Sequence, residues 1–190
     1  METDRVFQGS VPALYDRYLG PMIFAPYADD LAARVAGLQG GSLLEIAAGT
    51  GVLTRALVAT LPPSVAIVAT DLNQPMLDHA SARLVSDRLT WRQADAQALP
   101  FADGMFDLVV CQFGAMFFPD RPRAFAEAYR VLRPGGRFLF NVWDRIEENE
   151  FDVFSTRAHV STSRKIGALP GIAATFMRLS WTVALNQRTA

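Results

Sequence analysis

Three carboxylates and one loop of small residues are the parts of this chain best suited to do chemistry. The stretch Leu43-Leu44-Glu45-Ile46-Ala47-Ala48-Gly49-Thr50-Gly51 joins an apolar run, an acid and a small-residue loop, and a helical pattern follows over residues 52–59. Small residues let backbone N–H groups approach a ligand closely. The helix start beyond them favours an anionic ligand group. Asp71 and Asp95 each stand just after a later strand-like run, and Phe113 follows a fourth. Together they read as a site for a nucleotide-like ligand.

The elements that must position these residues alternate. Strands are expected over 42–47, 65–70, 89–93, 106–111 and 137–143, with helices over 52–59, 75–86 and 123–132. Asp120 is a natural N-cap with Pro122 in the first turn, and Pro134-Gly135-Gly136 should stop that last helix. Ahead of them, prolines at 12, 21 and 26 divide the first segment into helices near 13–19 and 28–38. Apolar strands separated by helices predict a parallel sheet covered on both faces. That is a doubly wound α/β fold, whose ligands bind at the carboxyl ends of the strands. Residues 1–41 read as a helical arm, 42–143 as the binding domain, and 144–190 as an atypical tail without a clear helical or strand period.

Composition narrows the function. The chain has 190 residues, enough for one domain with a core, and is 51% hydrophobic and 19% charged, as a globular protein is. Its net charge of −1 gives no electrostatic case for nucleic acid or an anionic membrane. Cys111 is the only cysteine, so neither a disulfide framework nor a cysteine metal site forms within one chain, and no metal is expected. Glu2, Asp4 and Arg5 speak against a secretory signal. No apolar run reaches the roughly 18 to 20 residues of a membrane span. A cytoplasmic protein is expected, its oligomeric state open.

Asp71 suits a ribose diol; it could instead cap the helix that follows. Asp95 could accept from the exocyclic amine of an adenine, or simply shape a turn. Glu45 suits a ligand that carries positive charge. A nicotinamide dinucleotide would bring a pyrophosphate to that spot and want a third glycine where Thr54 stands. S-adenosylmethionine brings an ammonium, a sulfonium, one carboxylate, a ribose and an adenine, and fits the charges better.

Five motifs in order carry a family resemblance. They are Leu44 to Gly51, then Ala69-Thr70-Asp71-Leu72-Asn73, then Gln93-Ala94-Asp95-Ala96 with Leu99-Pro100-Phe101, then Phe106-Asp107-Leu108-Val109, then Val131-Leu132-Arg133-Pro134-Gly135-Gly136. The stretch from Leu43 to Trp143 resembles class I S-adenosylmethionine-dependent methyltransferases of the type 11 domain, the group that includes ubiquinone and menaquinone C-methyltransferases. The resemblance implies a seven-stranded, mostly parallel Rossmann-like sheet and methyl transfer to a small-molecule acceptor, by O- or C-methylation. It implies cofactor contacts at Glu45, Ala47, Gly49, Thr50, Gly51, Asp71, Leu72, Asp95, Ala96 and Phe113, with Tyr15 on an arm that resembles a lid. Phe113 could also line the acceptor pocket or pack in the core.

Two departures stand out. The family usually has glycine where this chain has Ala47. The residues after Trp143 do not resemble the family, so the tail is expected to be truncated or replaced by a frameshift. The alternative function is accordingly a non-catalytic remnant of the fold; a nicotinamide-dependent oxidoreductase is the less favoured one. No catalytic base is identified: His79 reads as a solvated helix residue, His159 lies in the tail, and Cys111 reads as an inert core thiol.

Overall fold

The computed structural model describes residues 23–143 and the backbone of 179–185. The elements are α1 (Ala25–Val35), β1 (Gly41–Ile46), α2 (Val52–Thr60), β2 (Val65–Asp71), α3 (Gln74–Ser81), β3 (Leu89–Gln93), β4 (Phe106–Gln112), a 3-10 turn (Ala115–Phe117), α4 (Arg121–Val131), β5 (Leu132–Trp143) and β6 (Leu179–Leu185). They form one sheet in the order β3-β2-β1-β4-β5-β6. The first five strands run parallel and β6 runs antiparallel to β5.

Successive strand residues point to opposite faces, and the two cores follow that rule. Leu43, Leu108, Val110 and Leu139 face α1 and α2, where they meet Leu31, Val35, Leu53 and Leu57. Leu44, Val109, Cys111 and Phe138 face the other way, against Ala124, Ala128 and Val131 of α4. Each fully buried Leu or Val contributes roughly 1.5–3 kcal/mol, so both faces hold the strands in register. The expectation of a doubly wound sheet with helices on both faces is met. The strand order reverses between β1 and β4, which places the ligand-binding crevice at their carboxyl ends.

Four boundaries differ from the sequence reading. Pro26 opens α1 instead of breaking it, since proline is tolerated in a first turn. Helix α3 stops at Ser81, short of 86. Pro134-Gly135-Gly136 lies inside β5, not before it: Leu132 already pairs with Phe106, and a register shift with Gly135 at φ +78° absorbs the distortion. The tail read as lacking a strand period supplies β6, in register with β5 from Arg137↔Leu185 to Trp143↔Leu179. The helix expected at 13–19 lies outside the described residues.

Polar ties hold the ends of these elements. Asp107 accepts the N–H of Ser42 at 2.8 Å and pairs with Arg133, joining the starts of β1, β4 and β5. The Arg88 guanidinium donates to the carbonyls of Val58 and Leu61 at the end of α2, and to Pro62 and Val65 beyond it.

Candidate functional site

The loop between β1 and α2 bends through three left-handed residues: Ala47 at φ +58°, Gly49 at φ +56° and Gly51 at φ +78°. Glycine adopts that region freely, whereas a residue with a side chain is disfavoured there by roughly 1–2 kcal/mol. Ala47 is therefore strained, and the glycine usual at its position in the resembled family has a backbone reason. The Ala47 methyl lies where a side chain at Gly114 would have to go, packed against the end of β4. Gly49 opens onto free space, so a ligand can approach its backbone.

Asp71 ends β2 and faces this loop. Its Oδ2 accepts the Gly49 N–H at 2.8 Å and its Oδ1 accepts the Asn73 N–H at 2.8 Å. Burial holds its carboxyl above the usual carboxylate range, and these backbone bonds draw it partly back. Asn73 Nδ2 also donates to Oδ1, at 3.4 Å, so Oδ2 is the oxygen that keeps a lone pair for a ligand hydroxyl.

Glu45 is 1% exposed. Burial pushes its carboxyl up to about 8; the Thr54 hydroxyl, donating to Oε2 at 2.7 Å, opposes that rise, and the nearby Asp71 charge adds to it. Thr54, buried at the third-glycine position of a dinucleotide fingerprint, thus has a specific partner of its own. The Thr70 hydroxyl donates to the Glu45 carbonyl at 2.9 Å and fixes the strand beneath.

Asp95 follows β3. Its Oδ1 accepts from the Gln97 N–H at 2.8 Å and from Gln97 Nε2 at 3.2 Å. An aromatic cluster closes the other end. Phe113, held at φ +56° after β4, stacks on Trp143 at 4.0 Å between ring centres, with the rings 20° from parallel. Tyr27 meets both rings edge-on at 5.5 Å. The Phe113 N–H donates to the carbonyl and to Oδ1 of Asn141, each at 3.1 Å, and Gln112 Nε2 donates to the Phe24 carbonyl at 3.2 Å, tethering α1.

These groups surround one cavity of about 270 Å³. Glu45, Asp71 and Asp95 all line it, and among the described residues no Arg, Lys or His does. The carboxylate wall, the left-handed loop and the strand order occur together, and the sequence match agrees: a profile of the methyltransferase domain covers residues 44–140. The chain belongs to the class I S-adenosylmethionine-dependent methyltransferases. This methyltransferase domain is 39% identical over 127 residues to a ubiquinone/menaquinone biosynthesis C-methyltransferase of Hahella chejuensis, covering 63% of this chain and 51% of that protein. It is 44% identical over 101 residues to the protein of the same name from Dinoroseobacter shibae, covering 51% and 40%. Among solved structures it superposes with TM-score 0.61 and 25% identity on a Methanococcus maripaludis protein assigned as an S-adenosylmethionine-dependent methyltransferase, covering 78% and 67%. The chain spans about half the length of the curated relatives it matches.

The fold gathers most of the methyltransferase residues named from sequence. Glu45, Ala47, Gly49, Thr50, Asp71, Leu72, Asp95, Ala96 and Phe113 all line the cavity. Gly51 does not: it caps α2, and a side chain there would come within 2.9 Å of the Trp91 ring and 3.2 Å of Ala80. Its glycine therefore meets a packing and backbone requirement of the fold. Tyr15 and His159 lie outside the described residues. His79 sits on α3 with Nδ1 3.0 Å from Arg83 Nη1, away from the cavity lining. Cys111 is fully buried, its thiol pushed up to about 12 by desolvation, so it is inert.

Sequence reasoning missed Thr54, Gln97, Gln112, Phe117 and Trp143. Thr54 could have been found by asking which residue would hold a buried Glu45. No helix among the described residues is long and apolar enough to cross a membrane.

Proposed function

We propose that this chain binds S-adenosylmethionine in the cavity and directs its methyl group to a small-molecule acceptor, by O- or C-methylation. The observation that supports this reading is the lining itself: three carboxylates and, among the described residues, no basic side chain. Such a wall offers acceptor oxygens to a sulfonium and an ammonium, whose charge favours the ionised form of Glu45, and offers a pyrophosphate no counter-charge. When bound, that cofactor supplies an electrophilic methyl group.

The chain's own residues divide the work. Asp71 takes the ribose hydroxyls, while Leu72, Asp95 and Ala96 hold the adenine. Glu45, held by Thr54, faces the cationic end, and the backbone of Ala47, Gly49 and Thr50 with the start of α2 receives the carboxylate. Phe113 divides the cofactor end from an acceptor end walled by Phe24, Phe117, Phe118, Pro119 and Trp143. Tyr15, on the N-terminal arm, belongs to this reading as a further cofactor contact.

These apolar walls exclude water and align the reactants, a contribution that can reach about 7–11 kcal/mol of barrier. Among the described residues no Asp, Glu, His, Lys, Cys or Tyr lines the acceptor end; this reading therefore takes an acceptor that is already acidic or already nucleophilic, or one deprotonated by a residue outside the described ones. An apolar, uncharged ring fits those walls, and the names of the Hahella and Dinoroseobacter relatives point to C-methylation. Calorimetry with S-adenosylhomocysteine, together with a thermal melt, tests the reading. A micromolar fit and a raised melting temperature are expected. A cooperatively melting protein that ignores the ligand and shifts with NADH instead would overturn it in favour of the oxidoreductase; one that responds to neither would leave the non-catalytic remnant.

A further inference from the structure

We infer that Gln97 is a positioning residue, which aims the Asp95 carboxylate into the cavity and fastens its loop to the wall that carries Phe117, Phe118 and Pro119. The inference rests on the cofactor reading above and assigns a side chain that this reading does not use.

The geometry is a four-way staple. On the cofactor side, the Gln97 N–H and Nε2 both donate to Asp95 Oδ1, at 2.8 and 3.2 Å, while Asp95 Oδ2 lies 3.5 Å from Nε2. Oδ1 is thus committed and Oδ2 is the oxygen left for a ligand. On the acceptor side, Gln97 Oε1 accepts the Asp120 N–H at 2.9 Å, and the Gln97 carbonyl accepts Arg123 Nε at 2.9 Å. Asp120 is the N-cap of α4, where its side chain accepts the Arg123 N–H at 3.0 Å. The three residues just before that cap are the acceptor-side wall.

Only an amide can serve both ends. The carboxylate demands a donor and the Asp120 N–H demands an acceptor, so the two ends of Gln97 cannot be exchanged. A glutamate would keep the acceptor end and set a like charge against Asp95. A methionine would keep the volume and lose both bonds.

An oxygen of Asp95 held in this way reads a base that donates, as adenine does through its amine, against one that presents a carbonyl. The test is the ratio of affinities for S-adenosylhomocysteine and S-inosylhomocysteine, measured by calorimetry. The wild-type chain should prefer the adenosyl compound by about tenfold or more, the worth of one charge-assisted hydrogen bond. Gln97→Met, which keeps only the backbone N–H on Oδ1, should lower the ratio several-fold at every pH. Gln97→Glu should lower it near pH 7.5 and recover most of the preference near pH 5, where the new acid takes up a proton. The pH response of Glu45 acts on both ligands and cancels in the ratio.

A merely structural residue would lower both affinities and leave the ratio alone. A wild-type preference that both variants retain overturns the inference, as does a wild-type chain that binds both compounds equally. A wild-type chain that binds neither removes the cofactor reading itself, and the inference with it. Ligand-free melting curves confirm that the variants fold, and the ratio reads only the folded fraction.

Discussion

The methyl group of Ala47 fills the space that a side chain at Gly114 would need. The two residues sit at the carboxyl ends of neighbouring strands, one with a Cβ in a backbone region that disfavours it and one without. They behave as a pair. Gly114→Ala alone should destabilise the domain by about 1–3 kcal/mol through overpacking against Ala47 and Cys111. In the double variant with Ala47→Gly, most of that loss should return, because the obstructing methyl is gone. Denaturant titration of the four proteins in a mutant cycle measures the coupling; additive losses would show that the two residues do not share this space.

Asp71 joins the loop to β2 through Gly49 and to α3 through Asn73. Asp71→Asn keeps the volume and turns one of its acceptors into a donor facing an N–H. The loss of stability should be about 1–3 kcal/mol. Affinity for S-adenosylhomocysteine should fall at least about tenfold, beyond what the stability change explains. A folded variant with undiminished affinity would remove Asp71 from the ligand.

Glu45 makes stability depend on pH in a defined direction. Its folded value of about 8 stands above its ordinary 4.5, so between those limits the native state holds a proton that the unfolded chain has lost. Stability from this group is then complete below 4.5 and declines as pH rises through 8. Glu45→Gln lacks the decline. The wild-type chain should lose up to a few kcal/mol relative to the variant between pH 5 and pH 8.5. Asp71, raised in the same sense, is present in both proteins, so the difference reads Glu45 together with its coupling to Asp71. Parallel stability curves for the two proteins across that range would contradict this reading.

Thr54→Val removes the hydrogen bond that favours the charged form of Glu45. The carboxyl should rise further, and the pH at which affinity for S-adenosylmethionine levels off should move above its wild-type position. The bond itself is worth about 1 kcal/mol or more to stability. Ligand titrations at several pH values read the midpoint, and an unmoved midpoint would show that Glu45 does not answer to the cation.

Much of this was legible in the chain before any coordinate. The parallel strands β1, β2 and β4 could be read because burial on both faces demands nearly unbroken apolar runs, and Asp71 and Asp95 because acids just after strand-like runs are conspicuous. The left-handed backbone at Ala47 and Phe113 was not, since neither residue announces it as a glycine would. The start of β5 was hidden by Pro134-Gly135-Gly136, which reads as a stop and serves as a bulge. Strand β6 did carry a signal, the alternation of Leu179, Trp181, Val183 and Leu185 with smaller residues, but one strand of seven residues in a mixed segment is easily passed over. Gln97 was invisible because its partners, Asp95 and Asp120, come together only through the fold.

The pairing of β6 along β5 from Arg137 to Trp143 also bears on how the domain keeps to itself. Without that strand, β5 would present a row of unpaired amides and carbonyls, with Phe138 and Phe140 beside it, as a template for another chain. With it, the sheet's outer margins among the described residues are β6 on one side and the five-residue β3, with Arg92 among its exposed residues, on the other. A short, charged margin is a poor template. The antiparallel strand β6 thus takes up the hydrogen-bonding groups that the outer side of β5 would otherwise present.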